Sequence, residues 1–457
     1  MANFKELKNK KICILGLGLE NYALVRFILK KKIFCEITVC DARGKKELGE
    51  RYKALEGDIR ECRLRGVWVN WRLGKNYDKN LQKFSAKGGP ASGWDVIICS
   101  PGYSLLNTNL KKARMSGAEI TSAMKLFFEL SPRKNIIGVT GTKGKGTVSS
   151  LIYSILKRGG KRVWLGGNIG VAPFEFINKI KKNDWVVLEL SSFQLEDMDV
   201  SPKIAVFTNF YKEHLAPADP NNPNFHRSMR DYWQAKGNIF KHQKRGDKFV
   251  ANQKLKARLY NLAFGGKVVY FKKSELKSNL IGEHNKENIA AAVEVAKLAG
   301  VSQMDIKKAV AEFKPLEHRL EFIRNVKGTK YYNDSFATIP ESTIIALRSF
   351  EAPIVLLAGG ADKGSDFKDL AQEIKARCKA IILLRGKGTD KIKKQLLIIN
   401  YQLSSEYSNL KQAVRKAQSI AQKGDIVLLS TGCASFGMFK NYKERGKMFK
   451  QVVRGLK

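Results

Sequence analysis

The stretch Asn135-Ile-Ile-Gly-Val-Thr-Gly-Thr-Lys-Gly-Lys-Gly-Thr147 decides how this 457-residue chain is read. The apolar run from Asn135 to Thr140 has the length of one buried strand, and Val148 to Lys157, beyond the glycines, reads as a helix. Between them, Gly141-x-x-Gly144-Lys145 offers small residues that let backbone N–H groups face phosphate oxygens, and an ammonium for their outer charge. Strand, glycine-rich turn and helix in that order form a nucleotide-phosphate cradle. The full phosphate-loop pattern is incomplete. Its leading glycine falls at Val139, and the hydroxyl residue expected directly after the lysine is Gly146, with Thr147 one step later.

The same alternation extends in both directions. Lys11 to Leu15 runs into Gly16-Leu-Gly18, Ile37 to Cys40 ends on Asp41, and Val96 to Cys99 ends on Ser100-Pro-Gly102. Past the loop come strand candidates at Trp185 to Leu188 and Ile204 to Thr208, then a helical stretch, Asn288 to Leu298, closed by Gly300. After Pro315 the pattern restarts, with strands expected at Ile354 to Leu357, Ala380 to Leu384 and Ile426 to Leu429. Short apolar runs ending in Gly or Ser between amphipathic stretches predict parallel α/β units whose ligand loops gather at one sheet edge. No internal repeat or low-complexity segment is visible.

Charge and cysteine usage narrow the classes. With 83 basic and 42 acidic residues the formal charge is +41, which raises attraction to anything phosphorylated. The lysines lie in short runs along the whole chain, such as Lys30 to Lys32 and Lys393-Lys394, without a dense basic tail. They read as solvated faces before a nucleic-acid surface. Seven cysteines show no CxxC pair and several sit in apolar strand-like runs, which fits a reducing cytosol. No segment approaches 18 uninterrupted apolar residues and Met1 to Lys11 lacks a signal-peptide core, so a cytoplasmic protein without a membrane span is expected.

A phosphate site with magnesium needs carboxylates, and Glu189 ends the run Trp185 to Leu188 where an acidic side chain can meet such a metal. It opens Glu189-Leu-Ser-Ser-Phe-Gln-Leu-Glu196. Taken in chain order with Gly16-Leu-Gly-Leu19, Asp41-Ala-Arg43, Ser100-Pro-Gly102, the loop, Gly167-Asn-Ile-Gly170, His284-Asn285 with Asn288, His318-Arg319, Asn333-Asp-Ser335, Gly359-Gly360 before Lys363, and Cys433-Ala-Ser435 before Phe439-Lys-Asn-Tyr442, it resembles the Mur ligase family over nearly the whole chain.

That resemblance implies three α/β domains: residues 1–121, Rossmann-like, for a UDP-linked substrate; 122–316, a mostly parallel phosphate-loop ATPase-like domain; and 317–457, Rossmann-like, choosing the amino acid and closing over the nucleotide. It implies an ATP-dependent amide ligase adding D-glutamate to UDP-N-acetylmuramoyl-L-alanine through an acyl phosphate, in peptidoglycan precursor synthesis, and a monomer. Gly16, Gly18, Leu19, Asp41, Ala42, Arg43, Ser100, Gly102 and Asn168 would hold the UDP substrate. ATP would lie on Gly141, Thr142, Lys143, Gly144, Lys145, Gly146, Thr147, Asn285, Asn288, Arg319 and Asp334. Two magnesium ions would use Thr147, Glu189, His214 and Lys236, the last carbamylated by carbon dioxide, with Lys145, His214 and Lys236 as the catalytic set. Thr338, Lys363, Ser435 and Tyr442 would select the amino acid.

The chain departs from the family at Gly146, at Lys143, where Asn is usual, at Phe336, where the D-glutamate-adding enzymes usually carry Lys, and in Leu215-Ala-Pro-Ala-Asp219, which lacks a second acidic residue. Other readings stay open: a related ligase taking L-alanine, a diamino acid or L-glutamate, including the folate type, or a basic nucleic-acid-binding protein. A dehydrogenase suggested by Gly16-x-Gly18 meets Asn21 at its third glycine and gives the Lys145 loop no role.

Overall fold

The computed structural model describes residues 7–63, 67–81, 93–131, 135–216, 224–402 and 405–457. Among them seventeen strands form three sheets. The first comprises β1 (Lys11–Leu15), β2 (Glu36–Asp41), β3 (Trp68–Leu73), β4 (Val96–Cys99) and β5 (Glu119–Ser122), in the order β3-β2-β1-β4-β5. All its pairings are parallel. The second comprises β6 (Ile136–Thr140), β7 (Val163–Gly167), β8 (Trp185–Glu189), β9 (Ile204–Phe207), β10 (Lys248–Asn252) and β11 (Lys267–Phe271), in the order β11-β10-β9-β6-β8-β7, again all parallel. The third holds β12 (Glu321–Val326), β13 (Thr329–Asn333), β14 (Ile354–Ala358), β15 (Cys378–Leu384), β16 (Glu406–Tyr407) and β17 (Ile426–Leu429), in the order β12-β13-β17-β14-β15-β16, with only the β12–β13 pair antiparallel.

The chain divides into two compact units, Met1–Lys273 with Asn288–Ile306, and Ser274–Glu287 with Lys307–Lys457. In the first, one apolar cluster runs through residues from Leu7 to Leu259 and includes both sheets. Its middle is aromatic: Phe27 and Phe127 meet Phe174 at 5.3 and 6.2 Å between ring centres, and Phe176 stacks on Trp164 at 5.4 Å. In the second unit alternate residues of β14 serve different cores. Ile354, Leu356 and Ala358 face one cluster, and Val355 and Leu357 the other. A strand covered on both sides reads as a continuous apolar run.

Each strand expected from the sequence is present. The expected helix Val148 to Lys157 begins earlier, at Lys145, and runs to Arg158, because Gly144 turns left-handed (φ 81°) and lets the first turn start directly after it. Likewise the helix expected from Asn288 starts at Glu283. Among the described residues no helix is long and apolar enough to cross a membrane.

Candidate active site

At the end of β6 the chain turns through Gly141, whose φ of 145° suits glycine alone; a Cβ there would lie 1.9 Å from Thr208 Oγ1. The loop is fixed from the β9 side. Thr208 Oγ1 donates to the Lys143 carbonyl at 2.6 Å, the Lys143 amide donates to Asn209 Oδ1 at 2.8 Å, and the Thr142 amide donates to the Asn209 carbonyl at 2.9 Å. A Cβ on Gly144 would lie 2.3 Å from Asn288 Oδ1, so Asn288 stands against the loop. Lys145, Gly146 and Thr147 form the first helical turn, where the helix dipole favours an anion. Lys145 Nζ is folded back, donating to the carbonyls of Gly141 at 3.0 Å and Thr142 at 2.9 Å.

Three further groups converge beside the loop. Lys236, on the helix Met229–Lys241, is only 1% exposed. Its Nζ donates to the Gly141 carbonyl at 2.8 Å and lies 4.7 Å from the Tyr232 ring centre. Burial first, then the Lys145 charge, pushes its pKa well below the ordinary lysine value. That shift favours the neutral amine, the form that reacts with carbon dioxide. Glu189, at the end of β8, is 4% exposed; Oε1 accepts from Asn168 Nδ2 at 2.9 Å, while among the described residues the buried Oε2 has no hydrogen-bond partner. Such an orphaned carboxylate oxygen is expensive to bury unless something positive meets it. His214 takes a left-handed backbone (φ 59°) and sits edge-on to Phe193 and Tyr232. Burial lowers its pKa to about 4, leaving the neutral imidazole that can ligate a metal.

Oxygen, neutral imidazole and an amine convertible to an anionic carbamate suit magnesium once the carbamate forms. Among the described residues no group of three or more His, Cys, Asp or Glu could hold a metal by itself, so phosphate oxygens and the modified lysine would have to complete the set. A carbamate keeps one N–H, enough to retain the bond to Gly141.

Sequence reasoning missed Glu213. Its Oε1 lies 2.5 Å from Lys143 Nζ and its Oε2 3.8 Å from the His214 ring. Burial opposes its charge, but Lys143 and His214 outweigh burial and hold its pKa below the usual range. The Lys143 that departs from the family thus has a local acidic partner. The signal was the Glu-His pair itself, concealed in a polar loop. Of the acid-poor segment after His214, residues 217–219 lie outside the described residues.

The residues expected to hold the UDP substrate form a second group at the ends of β1, β2 and β4. Asp41 Oδ2 accepts from the Leu17 amide at 2.6 Å, and Arg43 Nε and Nη2 bond both Asp41 oxygens at 2.9 and 2.8 Å. Burial opposes the Asp41 carboxylate, yet these bonds hold its pKa below normal. Gly16 (φ 83°) passes so close to Ser100 that a Cβ would lie 2.3 Å from the hydroxyl oxygen. Gly18 and Gly102 line the same turns half-buried, and Leu19 and Ala42 are exposed. Asn168 is not in this group; it bonds Glu189.

In the second unit Asp334 is buried, accepting from Ser430 Oγ at 2.8 Å and the Leu320 amide at 3.2 Å. Burial raises its pKa to about 7. His318 is buried, and the Arg319 guanidinium carbon lies 3.8 Å from the Phe336 ring centre. Phe336 meets Tyr442 edge-on at 5.1 Å. Ser435 is buried, Thr338 half-buried and Lys363 exposed. Asn285 donates to the Ile281 carbonyl at 2.7 Å, a bond within its own helix end.

Comparison with known proteins follows the same outline. A family model for the Mur ligase middle domain matches residues 139–271, and one for the Mur ligase glutamate ligase domain matches 318–433. The UDP-N-acetylmuramoylalanine--D-glutamate ligase of Clostridium acetobutylicum is 37% identical over 99% of this chain and 98% of its own. That of Clostridium perfringens is 36% identical over 99% and 98%. Among solved structures, the MurF ligase of Thermotoga maritima in complex with ADP shares the fold at a TM-score of 0.59 and 16% identity, covering 99% of this chain and 97% of that one. The UDP-N-acetylmuramate-alanine ligase MurC of the same organism gives 0.57 and 17%, covering 98% and 100%. With both family models matched in order and relatives of this identity aligned end to end, the chain belongs to the Mur ligase family.

Proposed function

We propose that this chain is an ATP-dependent ligase that adds D-glutamate to UDP-N-acetylmuramoyl-L-alanine in peptidoglycan precursor synthesis, acting as a cytoplasmic monomer. The observation that carries the chemistry is the buried Lys236 amine beside the Gly141 carbonyl, with the orphaned Glu189 oxygen and neutral His214 near the same loop. The substrate pair rests on the name of relatives 35–37% identical.

In this scheme the substrate carboxylate attacks the γ-phosphate of ATP and displaces ADP; the amine of D-glutamate then attacks the resulting acyl phosphate, and its proton is lost as the tetrahedral intermediate expels inorganic phosphate. Joining two anions needs charge neutralisation more than a nucleophile. Lys145 leaves its two carbonyl partners for the β/γ-phosphates, Lys143 adds a second ammonium, and the amides from Gly141 to Thr147 cradle the phosphates. Glu189, His214 and carbamylated Lys236 would hold magnesium, with Thr147 in place of the hydroxyl that Gly146 lacks. Two such ions would supply the remaining positive charge. Asn285, Asn288, Arg319 and Asp334 complete the ATP contacts; Gly16, Gly18, Leu19, Asp41, Ala42, Arg43, Ser100, Gly102 and Asn168 bind the UDP substrate. Thr338, Lys363, Ser435 and Tyr442 receive the amino acid. We keep three functional domains, 1–121, 122–316 and 317–457, for the UDP substrate, ATP and amino acid.

Hydroxylamine tests the intermediate. With ATP and the UDP substrate but no amino acid, it should trap a hydroxamate of the nucleotide-linked carboxylate. Ligation proceeding without any trappable hydroxamate would refute an acyl phosphate accessible to the amine.

A further inference from the structure

Arg319 sits at the centre of a strained turn. His318 and Leu320 on either side are left-handed (φ 66° and 44°), a conformation that side chains with a Cβ adopt only when the surroundings impose it. Here the surroundings do. The His318 amide donates to Glu321 Oε2 at 3.0 Å, the Arg319 amide to the Leu316 carbonyl at 3.0 Å, and the Leu320 amide to Asp334 Oδ1 at 3.2 Å. The buried His318 ring meets Asn333 Nδ2 at 2.9 Å. The Phe336 amide donates to the His318 carbonyl at 3.0 Å, tying the two segments next to the arginine. The product of all this is one placement: the Arg319 guanidinium 3.8 Å from the centre of the Phe336 ring. Phe336 is 40% exposed, so burial of its own surface does not explain a phenylalanine there. Tyr442 braces it edge-on.

We propose that Phe336 is a positioning residue for Arg319, its ring holding the guanidinium in place for the ATP polyphosphate. This rests on the ATP role of Arg319 proposed above. A ring face attracts a cation through its quadrupole, so the Phe336 ring can fix where the guanidinium lies. An aliphatic side chain of similar bulk would fill the space without that attraction.

The test is the dissociation constant of a non-hydrolysable ATP analogue with magnesium, measured by calorimetry on the full chain. Phe336→Leu is expected to weaken binding about 3- to 10-fold, and Phe336→Trp and Phe336→Tyr to stay within about twofold of the parent. In an Arg319→Ala background, Phe336→Leu should change nothing further. Phe336→Met serves in place of the leucine variant if that variant does not fold. Equal losses for Leu, Trp and Tyr, no loss for Leu, or an undiminished Leu effect without Arg319 would each overturn the proposal. Absence of analogue binding by the parent protein would instead refute the ATP role itself.

Discussion

Lys236 Nζ donates to the carbonyl of Gly141 across 2.8 Å, joining a helix that follows the second sheet's fourth strand in sequence to the first residue of the phosphate loop. That bond places the one fully buried lysine of the site where a carbamate would sit against the loop. Replacing it with alanine leaves no atom able to carry the carbamate. Lys236→Ala should lower kcat at least about a hundredfold, and parent activity should fall when carbon dioxide is stripped from the buffer. Full activity in the variant excludes the carbamate role. The low pKa of Lys236 sets the sign of the pH effect: the amine becomes available to carbon dioxide as pH rises through a value well below that of free lysine.

Glu189 should prove a metal-contact residue through its unpartnered Oε2. Glu189→Gln keeps the bond to Asn168 and the side-chain volume but removes the charge. We expect the magnesium concentration for half-maximal activity to rise about tenfold or more, with the melting temperature unchanged or higher, since a buried charge has been removed. An unaltered magnesium titration would exclude Glu189 from the metal site.

Gly141→Ala forces a Cβ to within 1.9 Å of Thr208 Oγ1 at a φ of 145°. Denaturant unfolding should show a loss of about 2 kcal/mol or more, together with lost ATP binding. Gly57 is the contrast: it lies in the helix Glu50–Arg63, with open space where a Cβ would stand. Gly57→Ala should stabilise by about 0.5–1 kcal/mol.

Glu20 supplies a pH-dependent penalty inside the first unit. Burial raises its pKa to about 7, opposed by a hydrogen bond from Gln194. A raised carboxyl pKa means that the folded state prefers the protonated acid, so the stability it contributes is full below about pH 4.5 and is lost as pH rises through about 7. Glu20→Gln should therefore stabilise the protein at pH 8, on the order of 1 kcal/mol or more, and by much less at pH 5. Equal gains at both pH values would contradict the cause given.

Strands legible in the sequence were β1, β2, β4, β6, β8, β9, β14, β15 and β17, all interior to their sheets. Every edge strand escaped: β3, β5, β7, β11, β12 and β16. Half of an edge strand meets solvent, so Trp68–Leu73 carries Asn70 and Arg72 between its apolar residues and shows no continuous run. Interior β10 and β13 also escaped, because Lys248–Asn252 and Thr329–Asn333 are polar at both ends. At the site, backbone-dictated features such as Gly141 and Gly144 were readable because only glycine fits them. Glu213 was not, since its importance lies in a 2.5 Å contact with Lys143, 70 residues earlier. Nor could sequence show Arg319 over Phe336, which depends on the turn between them.

The most direct measurement is phosphate release, with product mass, when ATP, magnesium and UDP-N-acetylmuramoyl-L-alanine are supplied with one amino acid at a time. D-glutamate should give the largest kcat/KM and a product heavier by one glutamyl residue, with L-glutamate, L-alanine and diamino acids far behind. Turnover with L-alanine and UDP-N-acetylmuramate instead, preference for L-glutamate, or no turnover with any acceptor alongside tight DNA binding that survives 0.15 M salt, would contradict the assignment.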